Sequence, residues 1–188
     1  MTLDVGNILI AGTGRLYIAP EDTPMPSHLT EVLNAAFIDT GYTTEDGAKF
    51  TDSKTTNDVR PWQSFYPVRV HVTERTGSLE LSLLEWKEAN LIVAFGGGGM
   101  TQPFTGEFRY EPPEPEELAV NALVLDMADG VRNFRIGIPR VFVTSNTEST
   151  FAKTGPALLP VTFAVLANGE EKPWFIDSDD PNWSPAAS

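Results

Sequence analysis

The sequence predicts a mainly β protein, an antiparallel β-sandwich or barrel with one packed α-helix, and three observations lead there. Short apolar runs bounded by Gly, Pro, Asn and Asp recur along the 188 residues, nine or so of them, at strand spacing. Ala119 to Met127 and Val131 to Ile138 flank Ala128, Asp129 and Gly130, and Asp-Gly between apolar runs is the strongest short hairpin signal. Only one or two stretches read as helix, the clearest being Glu85 to Phe95, with good helix formers, acidic Glu85 and Glu88 at its start and Gly96 placed as a left-handed cap.

Taken in order, Met1 to Thr13 is small and apolar, and Asn7 to Ile10 reads as a first strand. Leu16 and Ile18 alternate with Arg15 and Tyr17 in Gly14 to Ala19, and Pro20 ends that strand. A proline-punctuated loop follows, in which Ser27 or Thr30 caps a single helical turn around Glu31 to Ala35. Phe37 to Tyr42 reads as a strand closed by a turn at Glu45, Asp46 and Gly47. Ala48 to Pro67 is polar and without apolar period, yet Trp62, Phe65 and Tyr66 stand together near its end. It reads as a long loop.

Pro67 to Gly99 organises the rest. Val68, Val70 and Val72 alternate with Arg69, His71 and Thr73, and then Leu79, Leu81 and Leu83 alternate with Glu80 and Ser82. The two apolar rows differ in parity, so one flat strand would turn its apolar face over between them. A kink or hairpin near Thr76, Gly77 and Ser78 is required, and one long strand kinked at Gly77 is the preferred reading. Beyond the glycines, Phe104 to Tyr110 reads as a strand and Glu111 to Glu117, with three prolines, as a solvated connection. Val141 to Thr144 resumes after Pro139, which marks an edge or a break. Pro156 to Ala167 gives a core strand with Val161, Phe163 and Val165 on one face, Asn168 and Gly169 turn, and Trp174 to Ile176 is a short last strand.

Composition narrows the function. With 41% hydrophobic residues the chain can bury a full core, and residues 1–170 read as a single domain with a long loop at 43–67, followed by an acidic tail at 171–188 that reads as unpacked from Asp177 to Ser188. The net charge of −13 is spread, with 13 acidic and 7 basic residues up to Ala94 and 13 and 6 after it. Such a surface repels nucleic acid and anionic membrane. No cysteine is available for disulfides or thiol chemistry, no apolar run reaches about 18 residues, and no export signal is recognisable.

Catalytic and ligand-binding patterns are weak. Gly96 to Gly99 close a helix, whereas a phosphate-binding loop opens one. Asp177, Asp179 and Asp180 lack the glycine and distal glutamate of a calcium loop. His28 and His71 are the only histidines, no serine stands in a GxSxG elbow, and Glu74, Glu80 and Glu85 are ordinary neighbours in an acidic β protein. The expectation is no enzyme, no metal and no cofactor.

The order GYTTEDGAKF, a polar stretch, then PVRVHVTERTGSLELSLLEWKEANLIVAFGGG resembles the major tail tube proteins of long-tailed, siphovirus-type bacteriophages, particularly those infecting actinobacteria. The likeness runs from Gly14 to Ala167 in layout and is close from Gly41 to Gly99. No counterpart is read of the immunoglobulin-like C-terminal domain frequent in that family. The resemblance implies the phage tail tube fold and a structural subunit of hexameric rings, stacked around a negatively charged lumen for the passage of viral DNA. It implies self-association, contacts with tail initiator, tail terminator and tape measure proteins, no specific DNA binding, no membrane, and a place in the virion tail after assembly in the host bacterial cytoplasm. The expected subunit interface is Trp62, Phe65 and Tyr66 with Arg60, Arg69 and His71; the alternative is that the aromatics pin the loop onto their own subunit's core. Two rival functions stand beside it: a tube protein of a contractile tail or injection machine, and a monomeric carbohydrate- or protein-binding β-sandwich using Trp62, Phe65, Tyr66 and Trp86 as a platform.

Overall fold

A computed structural model describes residues 5–114, 116–144 and 147–183. Among these are ten strands: β1 (Thr13–Pro20), β2 (Ile38–Asp39), β3 (Lys49–Val59), β4 (Arg69–Leu83), β5 (Gly99–Phe104), β6 (Glu107–Glu111), β7 (Val120–Asp129), β8 (Arg132–Val143), β9 (Leu159–Val165) and β10 (Phe175–Ser178). One α-helix, α1 (Glu88–Ala94), lies between β4 and β5. The main sheet is antiparallel in the order β2-β1-β7-β8-β9-β4-β3, with β10 on β8, and β5 and β6 form a separate ribbon. The fold is the mainly β, one-helix architecture read from the sequence.

The sheet curls on itself because one short segment bonds both of its sides. Ile38 pairs with β1 and Thr40 donates its N–H to Leu16 at 3.0 Å, while Thr44 donates to Ser82 at 3.1 Å and Leu84 to Tyr42 at 2.9 Å. β1 and β4 are thereby joined. The enclosed core takes Leu16 and Ile18 from β1, Leu79, Leu81 and Leu83 from β4, Leu123 and Leu125 from β7, and Val161 and Phe163 from β9, with Val93 and Ala94 of α1 among them. The other face of β1 and β7 is covered by the irregular stretch 21–37, through Met25, Leu33 and Phe37.

Several expectations are corrected by where backbone groups find partners. Asn7 to Ile10 is not a strand: Val5–Asn7 is a 3-10 turn, and Ile8 and Ile10 are tied to the β7–β8 turn by Arg132 and Asp129. Glu31 to Ala35 forms no helix, because Arg135 takes the Glu31 carbonyl at 3.0 Å, an acceptor a helix would have used. Phe37 to Tyr42 contributes only two strand residues. Phe104 to Tyr110 is interrupted by a turn at Thr105 and Gly106, where Gly106 has φ 86°, so it supplies the end of β5 and most of β6. The helix begins at Glu88 because the Glu85 carboxylate accepts from Tyr42 and its carbonyl from Asn90, which hold residues 85–87 extended. Its end is as read: Gly96, at φ 74°, donates to Val93 and Gly97 donates to Ile92, a Schellman closure.

Pro139 sits where two residues of β8 oppose one of β7, so β8 bulges there and runs on, with β10 on its first half and β9 on its last three residues. The described part of the C-terminal stretch is packed, contrary to expectation. Asp177 and Ser178 belong to β10, Asp179 accepts from Asn133, Asp180 is buried against Arg132, and Trp183 meets the ring of Phe134 at 5.8 Å. The remainder of that predicted tail, 184–188, lies outside the described residues.

Candidate subunit interface

The polar stretch 43–67, expected to be a loop, holds an 11-residue strand. β3 carries apolar side chains only at its ends and therefore showed no period, but its threonines suit a strand exposed on both sides. Its whole length pairs with β4 from Arg69 to Glu80, and the 15 residues of β4 are flanked by β9 only from Ser78 to Leu83. From Gly77 outward the sheet is two strands wide. The outer part of β3 and β4 is thus an arm extending past the core.

The parity problem is resolved inside that arm. β4 is one continuous strand, as preferred, but the irregularity lies at Thr73: Thr55 pairs with Glu74 and Thr56 with Val72, leaving Thr73 as the extra residue. Because the bulge adds one residue, Val70 and Val72 keep to the face that carries Leu79, Leu81 and Leu83. Gly77 serves another purpose: a Cβ there would stand 2.9 Å from Val165 Cγ2. The valines of the arm therefore share the face of the core leucines, separated from them by Gly77 and Arg75, and Val68, Val70 and Val72 are more than half exposed.

At the base of the arm, Arg75 grips Asp52 with two bonds of 2.8 and 2.9 Å. That hydrogen-bonded guanidinium holds the Asp52 carboxyl below the usual range, and the carboxylate raises the arginine in turn. At the tip, Val68 donates to Val59 at 3.0 Å, Ser64 donates to the Pro61 carbonyl, and the Ser64 hydroxyl donates to Tyr66 O at 2.9 Å. Trp62 and Phe65 are each 99% exposed and Tyr66 80%, so none is pinned to its own subunit's core. Arg60 pairs with Asp58 at 3.2 Å. Arg69 and His71 lie beside the tip, paired with Val59 and Asn57 on the face opposite Val70.

All six predicted interface residues thus gather at the outer end of one arm. The valine row was missed as a part of the surface, since its alternation was read as an ordinary half-buried strand. Trp86 is separate from them. It follows the far end of β4, a strand about 50 Å long, donates to Ala157 O at 2.8 Å and packs on Phe151. The four aromatics form no common platform.

The other features are structural. Among the described residues no cluster of three His, Cys, Asp or Glu side chains could hold a metal. Asp126 and Arg135 form a two-bonded pair of 2.7 and 2.9 Å that anchors residues 28–31, and Arg132 joins Asp129 and Asp180. His28 lies 3.5 Å from Glu31, and Gly96 and Gly97 close a helix instead of opening one. Among the described residues no helix is long and apolar enough to cross a membrane.

Comparison with known proteins finds a family model, described as phage tail tube protein, that matches residues 1–187. The curated proteins give no match. Among solved structures, a chain of the virion of a native gene transfer agent particle is similar in fold at a TM-score of 0.41 and 12% identity, over 81% of this chain and 92% of that one.

Proposed function

We propose, because this chain belongs to the phage tail tube protein family, that it is the repeating subunit of a tail tube in which six copies close a ring and stacked rings enclose the path of viral DNA. It is a structural protein of a phage tail. The observation that supports self-assembly is the arm: a two-stranded ribbon is marginal alone in water, and this one presents a valine row and three bare aromatics. A neighbouring subunit is the cover such a surface calls for. Aromatic anchors dominate interface energetics, each worth about 2 kcal/mol or more when truncated.

In this reading Trp62, Phe65, Tyr66, Val70 and Val72 pack on an adjacent copy, while Arg60, Arg69 and His71 form the polar rim. A shared, closed sheet removes the free edge that β3 exposes. The 26 acidic residues against 13 basic ones leave the tube negative and non-adhesive toward DNA, which passes without specific binding. Tail initiator, tail terminator and tape measure proteins are the remaining partners, and assembly takes place in the host bacterial cytoplasm. Sedimentation and electron microscopy of the purified protein, with and without a tail initiator, test this. Rings of six and tubes are expected; monomer alone at high concentration under both conditions would reject it.

A further inference from the structure

A groove of about 330 Å³ opens between α1 and the edge formed by β1 and β2. Ile18, Ile38, Ala89, Ile92 and Val93 line it, Ile38 is half exposed, and Glu88 stands exposed at its side. Its place in the fold is opposite the arm. Four antiparallel pairings, through β7, β8 and β9, connect β1 to β4, so these two strands run in the same direction and Pro20 and Leu83 end at one edge of the sheet. α1 follows β4 at that edge, whereas Trp62 and Phe65 stand bare beyond its other end, and β4 alone is about 50 Å long. The tip therefore cannot reach the groove of its own chain.

We infer that the groove beside α1 is the socket for the arm tip of another copy of this chain, with Trp62 and Phe65 in the groove and Arg69 beside Glu88; the inference rests on the tube reading above and names the surface that receives the arm. Both halves are uncovered apolar patches, the kind of surface that marks an interaction site. Their charges match as well. Arg69 and His71 flank the tip and Glu88 flanks the groove, and among the described residues neither Arg69 nor Glu88 has an ion-pair partner. A pair between them across the contact fixes register and excludes wrong partners more than it adds affinity. A second copy fits this groove better than a foreign protein, because every chain carries one tip and one groove at opposite ends. Contact of one with the other is heterologous and repeats from copy to copy without exhausting either. The groove is at the small end of ligand-sized clefts, so it takes side chains and not a whole strand.

The test replaces Phe65 by p-benzoylphenylalanine, a photoreactive residue that keeps an aromatic ring at this exposed position. Tubes are irradiated and the linked peptides identified by mass spectrometry. A link is expected from residue 65 of one copy to residues 18–20, 38 or 88–93 of another, present in tubes and absent from dissociated subunits. A link confined to another surface, or tubes that give no link between copies, would overturn the socket. Charge reversal tests the same contact without the photoreactive group and decides the matter if that group blocks assembly. Glu88→Arg and Arg69→Glu are each expected to lower tube yield about tenfold, because like charges then face one another, and the double variant is expected to recover it. Wild-type yield from both single variants, or no recovery in the double variant, would equally overturn the assignment. Wild-type protein that forms no tubes at all sinks the tube reading and this assignment with it, whereas wild-type tubes linked elsewhere sink the socket alone.

Discussion

The inner and outer halves of β4 are one strand with one apolar face, yet they live in opposite environments. Leu79, Leu81 and Leu83 are buried in a core shared with side chains of β1, β7, β9 and α1, whereas Val70 and Val72, on the same face beyond Gly77 and Arg75, stand in solvent. Alternation identifies the face that seeks cover and is silent on who supplies it. In the inner half the cover is the chain's own core. In the outer half it is, on our proposal, another copy, and each expected outcome below breaks or sharpens that contrast.

The largest effect on the subunit itself is expected in the inner half. Leu79→Ala removes a fully buried side chain from the core and should cost about 2–5 kcal/mol in monomer stability, read by chemical denaturation. A loss below 1 kcal/mol would mean that the inner row is not the core. In the outer half, Val70→Glu should leave monomer stability nearly unchanged but abolish tube formation. A neighbouring copy covering the valine row would have to bury an unpaired carboxylate, and normal tubes from this variant would show that the valine face is not used.

Trp62→Ala removes a bare side chain at the tip. The melting temperature should move by no more than a degree or two, since substitutions of exposed residues usually fall within about 0.5 kcal/mol, while tube yield falls sharply. A variant that unfolds would place Trp62 in a core after all. The smallest effect concerns Asp52. Its carboxyl is lowered by the Arg75 bonds, so the pair is intact at neutral pH and is lost as pH falls through that lowered value, below the usual carboxylate range. Asp52→Asn should therefore speed amide hydrogen exchange in the arm at neutral pH and leave β9 unchanged. Equal exchange in variant and wild type would remove the pair from any role in ordering the arm.

The contrast also explains what could be read from the sequence. Strands that bury a face were legible: β1 and β9 showed their alternation, β7 and β8 stood out as apolar runs, and their hairpin was found by Asp129 and Gly130, its two-residue turn lying at Gly130 and Val131. β3 was invisible because a strand exposed on both sides has no apolar period to display. The bulge was assigned to Gly77 because glycine is the residue that tolerates one, but Thr73 forms it and Gly77 answers to Val165. Features set by distant partners, such as the Glu31 carbonyl taken by Arg135 or Asp180 held by Arg132, leave no local mark. Trp62, Phe65 and Tyr66 were legible as aromatics grouped in a polar stretch; their place at the end of an arm was not.

The continuity of β4 has a mechanical meaning. A pull applied at the tip of the arm is directed along the strand, and antiparallel ladder bonds lie perpendicular to it. Tension between neighbouring subunits therefore loads the bonds to β3 and β9 together, in shear, instead of opening them one after another. Because the core leucines stand on the strand that receives the load, a bending or stretching tail would, on our proposal, carry force from the tip of the arm into a subunit's hydrophobic interior along a single strand.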